Sequence, residues 1–241
     1  MSKSARGKQP KRHLRSVPTP PSIRPEDQPL FQALRSALRS DQPLALLELV
    51  SGLITATDPR SRNPWARDDD GPSLDALVDS LIGTSFAQTT AALTVIREMV
   101  PDQEIAARID RELTTRRQPL PNWLGALADT RADPEVWFLT HVLGDGDAYF
   151  FGATLPGGRQ LTALVYVDHN MGTVVKDAFV IPEAISVVLR QLQPSIEDGQ
   201  TLSRFHPADA RAIVEKAIDH GSRLFPPPES DSWPMCRPLV E

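Results

Sequence analysis

Between Leu161 and Val180 the chain reads LTALVYVDHNMGTVVKDAFV, a stretch that holds Asp168, His169, Asn170, Lys176 and Asp177. Carboxylates, an imidazole and an ammonium in one short segment can supply base, acid and electrostatic roles. Asp168, His169, Lys176 and Asp177 are therefore the candidate catalytic residues. Just upstream, Leu143-Gly144-Asp145-Gly146-Asp147 adds two more carboxylates. Asp145, Asp147 and Asp168 are the candidate metal ligands, because oxygen-rich acids suit Mg²⁺ or Ca²⁺. A structural explanation competes with this chemistry. Asp and Asn stabilise turns by side-chain-to-backbone bonds, and Gly permits the backbone those turns need. No spacing here matches a known metal motif, and no Gly-rich phosphate loop or Gly-x-Ser-x-Gly elbow occurs. The sequence identifies no cofactor; a divalent metal is the one its acids could hold.

What could position these residues is a sheet. After Asp133-Pro134 the apolar period changes from helical to alternating, and Val136–Leu143, Ala148–Thr154, Gln160–Asp168 and Thr173–Ile181 read as strands. The three turns between them are short and Gly-bearing, which predicts an antiparallel meander. In a meander alternate turns share a rim, so Gly144–Asp147 and His169–Gly172 lie at one end and Pro156–Arg159 at the other. Two strand spacings would separate the acidic turns by roughly 10 Å. Gly172 suits a positive φ, closing the loop Asn170-Met171-Gly172 with a bulge. That register sets Tyr166 opposite Lys176 and Val165 opposite Asp177, with Asp168, Tyr166 and Lys176 on one face. Both faces of the hairpin are otherwise apolar, so it reads as a central, covered pair, with Lys176 or Asp177 partly buried and in need of a partner.

Helices flank the sheet. Apolar stripes at helical spacing, several opened by Pro, predict six helices between residues 28 and 130. Pro29 and Pro43 open the first two, and Leu74–Leu81 stripes the third. Ser85-Phe86-Ala87-Gln88 reads as a capping box for the fourth. A fifth runs over 103–117, with Arg116 and Arg117 near its negative end, and a short one starts at Pro121-Asn122. Pro182 and Pro207 start two more, with 194–206 a loop between them. The fold class is α+β: an N-terminal antiparallel helical array followed by a four-stranded antiparallel β-meander with two C-terminal helices. The divisions are 1–26, a disordered basic tail; 27–131, the helical array; 132–224, the meander and two helices; and 225–241, a Pro-rich extended segment. In the loop 58–72, Trp65 is expected to pin the segment to the body; the Asp68-Asp69-Asp70 run could bind a cation but reads first as a solvated loop.

Composition narrows the classes. Forty per cent hydrophobic and 24% charged residues suffice for a real core. The net charge of −5 hides an asymmetry: residues 1–25 carry seven basic residues and no acid, leaving 19 basic against 31 acidic beyond them. The tail could touch phosphates non-specifically, but it lacks aromatics for base stacking. A single cysteine, Cys236, excludes an internal disulfide and a Cys-based zinc cage, and fits a cytoplasmic protein. No apolar run approaches the length of a membrane span.

Leu143–Asp147, Tyr166–Asn170, Gly172–Phe179 and Cys236–Glu241 resemble stretches of an uncharacterised family from high-GC, actinobacterial-type bacteria, over roughly residues 35–241. Arginine outnumbering lysine 21 to 5 agrees with such a genome. The resemblance implies no activity, cofactor or partner. The leading expectation is a non-catalytic cytosolic binding or regulatory protein, with the helical array as a surface for a partner protein. The alternatives are a metal-dependent hydrolase at the acidic rim of the sheet and a nucleic-acid accessory protein using its basic tail. No contact with a membrane is expected.

Overall fold

In the computed structural model, residues 28–59, 71–226 and 232–241 are described. The basic tail, Trp65 and the Asp68–Asp70 run lie outside them. The architecture is α+β, with helices at both ends and an antiparallel sheet between them.

The helical array forms as the stripes dictate: α1 (Pro29–Arg39), α2 (Pro43–Ala56), α3 (Leu74–Ile82), α4 (Ala87–Met99), α5 (Gln103–Thr115) and the short α6 (Asn122–Gly125). The prolines of α1 and α2 sit in the first turn, where the missing N–H costs nothing. Ser73 and Asp102 cap α3 and α5 through their side chains. The start of α4 differs from the expected box by one residue. Phe86 is the N-cap, and Thr89 Oγ accepts from its backbone N–H at 3.1 Å. Gln88 turns inward instead and is buried. Leu34, Leu46, Val50, Leu93, Ile96 and Ile109 make the centre of this core.

Arg116 does more than answer the dipole of α5. Its guanidinium is buried and bonds Leu81 O at 2.9 Å, Ile82 O at 3.0 Å, Thr89 Oγ at 3.0 Å and Glu112 Oε1 at 2.8 Å. The orphan carbonyls at the end of α3 thus find their donor on the residue after α5.

The sheet has five strands rather than four: β1 (Arg131–His141), β2 (Gly146–Thr154), β3 (Gln160–Asp168), β4 (Val174–Ile181) and β5 (Gln200–Phe205), in the order β4-β3-β2-β1-β5. Residues 200–205, expected within a loop, pair with β1. Leu202 and Phe205 fall on opposite faces, so the strand has no apolar alternation to announce it. Its polar content suits an edge. As the last strand of the meander, β4 is an edge, and β5 extends the sheet on the far side, beside β1. The β3–β4 hairpin is therefore not the central pair, and Phe179 on it is exposed.

Helix α7 (Ile185–Leu192) lies against β2 and β3. Helix α8 (Pro207–Gly221) covers the opposite face, where Ala210, Val214 and Ala217 meet Tyr149, Val165 and Ala178 in a second core. The segment 225–241, expected to be extended, contains α9 (Trp233–Val240). Pro238 inside it lacks the N–H that Pro234 O would accept. Thr55 of α2 supplies that bond from its hydroxyl, and Ser51, one turn earlier, donates to Met235 O. Among the described residues, no helix is long and apolar enough to cross a membrane.

Thr55→Val keeps the shape and removes the donor, leaving Pro234 O without a partner. Urea unfolding should show a loss of roughly 1–3 kcal/mol, which Thr55→Ser restores; an unchanged midpoint for the valine variant would refute this role.

Candidate functional site

The acidic turns do share a rim, and more closely than two strand spacings. Gly146 pairs with Asp168 in the β2–β3 ladder, and His169 N–H donates to Asp145 O at 2.9 Å. The rim carries two separate hydrogen-bonded groups. In the first, His169 Nε2 lies 2.6 Å from Asp147 Oδ2, and its Nδ1 lies 3.2 Å from Thr173 Oγ. In the second, Asp168 Oδ1 accepts from Met171 N–H at 3.0 Å, and Lys176 Nζ donates to Asp168 Oδ2 at 3.2 Å.

Local backbone explains both. Gly172 carries the expected positive φ of 97°, and His220 of α8 packs where a side chain would begin. Thr173 is less expected, with φ of 62°. A β-branched residue in that region is strained by about 1–3 kcal/mol, and the contact with His169 helps to hold it there. The register begins as predicted, with Asp168 opposite Val174 and Val167 opposite Val175. It then slips by one residue, so that Tyr166 faces Asp177 and Val165 faces Ala178, each shifted from the predicted pairing. Lys176 is the extra residue of this bulge. A bulged residue on an edge strand leans outward, and the Lys176 side chain is 46% exposed rather than enclosed.

Burial opposes the ionisation of Asp168, but the Met171 N–H and the Lys176 ammonium outweigh it and hold the carboxyl below its ordinary range. Burial, assisted by the charge of Asp147, pushes the Tyr149 phenol up to about 12. Asp177 stands apart from the Asp168 pair, opposite Tyr166 in the ladder. The carboxylate–imidazole–hydroxyl row of Asp147, His169 and Thr173 has the connectivity that activates a hydroxyl nucleophile in hydrolases. It serves equally as turn chemistry. Asp147 and Asp168 are each engaged by a different cation or imidazole. Among the described residues, no three His, Cys, Asp or Glu side chains converge on a point where a metal could sit.

The other titratable candidates are structural. His141 ends β1, and its Nδ1 accepts from Leu143 N–H at 3.2 Å. His206 is the exposed N-cap of α8. Cys236 is buried in α9, and burial, with the charge of Glu48, pushes its thiol up, which favours the inert protonated form.

At the far end of the sheet is a feature the polar residues did not signal. A cavity of about 670 Å³ opens between the sheet, α8 and α9. Val136, Phe151, Leu161, Ala163 and Val180 form its floor. Val214 and Ile218 of α8 and Leu239 and Val240 of α9 form its walls. The β1–β2 ladder is irregular here: between Ala132 and Val136, three residues of β1 oppose Gly152 alone. This bulge carries Asp133 into the lining, and the missing Cβ of Gly152 admits it; a Cβ there would sit 2.0 Å from Asp133 Oδ2. The signal was present in the sequence as a glycine in the middle of an aromatic strand, a position that marks a bulge or a close approach.

No family model matches the chain, and neither a curated protein nor a solved structure matches it. The chemistry of both ends of the sheet therefore rests on their own geometry.

Since folding favours the ionised form of Asp168, its contribution is fully present above the ordinary 3.8 and is lost as pH falls through the lowered folded value. Lys176→Ala should cost roughly 0.2–1 kcal/mol at pH 7, as a half-exposed pair does, and nothing once acid has protonated Asp168 in both proteins. Urea titrations at pH 7 and pH 2 measure this; a loss that persists at pH 2 would assign Lys176 to packing instead.

Proposed function

We propose that this is a cytoplasmic, non-catalytic binding protein whose ligand is a small, largely apolar molecule held between the sheet, α8 and α9. One observation carries the reading: the cavity of about 670 Å³ on the covered face of the sheet. Its size falls within the ~300–1,000 Å³ of small-molecule sites, and an apolar lining with few polar groups is their usual make-up. The space opens to solvent between α8 and α9 and the apolar face of the sheet, the concave form that ligand sites take.

The rim supports this reading by contrast. Asp147, His169 and Thr173 satisfy one another, as do Asp168, Lys176 and the Met171 amide. None of these residues lines the cavity. Binding in this account belongs to the sheet and not to the helical array, which the sequence had offered as the partner surface.

N-phenyl-1-naphthylamine, whose fluorescence rises in apolar surroundings, should bind saturably at one site. Ala163 lies on the floor, so Ala163→Leu extends into the void without displacing packed atoms. It should abolish the saturable signal while keeping or raising Tm. Equal probe binding by wild type and this variant would refute the reading.

A further inference from the structure

The cavity has a polar feature that a purely apolar ligand would leave unused. Four carboxylates and one guanidinium line it: Asp133, Glu215, Asp219, Glu241 and Arg211. Three of the four carboxylates already have arginine partners. Glu215 Oε1 is 2.6 Å from Arg211 Nε, Asp219 Oδ2 is 2.6 Å from Arg223 Nη2, and Glu241 Oε1 is 2.9 Å from Arg237 Nε. Asp133 has no hydrogen-bond or ion-pair partner among the described residues. It is also the one delivered by a backbone irregularity, over a glycine that makes room for it. Bulges re-aim side chains next to binding sites. Asp133 is half-buried beside this apolar wall, where a cation within a few ångströms would pair with it.

We propose that the ligand is an amphipathic cation, an aliphatic or aromatic body bearing one protonated amine, with the ammonium on Asp133 and the body on Val136, Phe151, Val214 and Ile218. The inference deepens the binding reading above and rests on it. Arg211 does not argue for an anion, because Glu215 holds its guanidinium and the lining carries more negative than positive groups. Charge complementarity selects the head group, and the apolar floor and walls select the body. Asp133 also sits where a ligand's own amine can donate to it, so the contact is a charge-assisted hydrogen bond.

The test is displacement of N-phenyl-1-naphthylamine at pH 7 by octylamine and by 1-octanol, which share a chain and differ in the head group. Wild type should prefer octylamine by about tenfold, the effect of one charge-assisted bond. The ratio should fall to near one in Asp133→Asn. Gly152→Ala should lower it too, since the new Cβ displaces the carboxylate while the charge stays in the chain. Glu104→Gln on α5 makes the same change in net charge away from the cavity and should keep the tenfold ratio. Displacement by both competitors with equal potency in wild type would overturn the cation and leave the cavity reading standing. A ratio that Asp133→Asn leaves at tenfold would overturn the assignment to Asp133. Failure of both competitors to displace the probe would overturn the cavity reading and this inference with it.

Discussion

A proline inside a helix leaves a carbonyl without its donor, and this chain answers that deficit from another helix. Pro238 deprives Pro234 O, and Thr55 of α2 bonds it. The consequence reaches well past one bond. Helix α9 has residues in both cores: Leu239 packs against that of the helical array, while Trp233 and Cys236 belong to that of the sheet. It also lies along β4, an edge strand whose unpaired groups would otherwise face water. The hydroxyls of Ser51 and Thr55 tie α9 to α2, and the same helix walls the cavity with Leu239 and Val240.

The two ends of the sheet handle polar groups in opposite ways. At the rim of the two acidic turns, Asp147, His169 and Thr173 bond one another, and Asp168 is held by Lys176 and the Met171 amide. Buried and half-buried polar groups in native proteins are nearly always paired. A cluster that satisfies itself needs no ligand to explain it. At the other end an apolar space meets a carboxylate with no partner among the described residues, and the backbone departs from regular pairing to put it there. Concentration of chemically capable residues was the more visible property, but unmet demand is the more informative one.

The sequence revealed the array, the meander and the shared rim because each rests on a local signal: a period, a proline at a helix start, a glycine in a turn. Its misses share one physical cause, compensation from distant residues. The Pro-rich C-terminal segment looked incapable of a helix because Thr55 is not visible from Pro238. Strand β5 went unseen because its pairing with β1, and not its own pattern, makes it a strand. Lys176 was assigned to a covered central pair because both faces of its hairpin are apolar, although the last strand of a meander is an edge, and the slip after Val175 that turns it outward could not be read from turn chemistry alone. The candidates Asp147, Asp168, His169 and Lys176 were brought together as expected, though as two closed groups. Asp133 was read only as the place where the period changes.

The joint between α2 and α9 also sets an order of events. Ser51 and Met235 are 184 positions apart, so their contact closes one of the longest loops the chain makes. Loop closure must be met in entropy before the contact returns anything. The helical array and the meander are built from near neighbours and can organise first, each with its own core. On this argument α9, which contributes Trp233 and Cys236 to the sheet core, docks last, and the cavity gains its second wall as it docks. Ligand binding would then act on the closing step, tightening the seam that α9 makes between the array and the sheet.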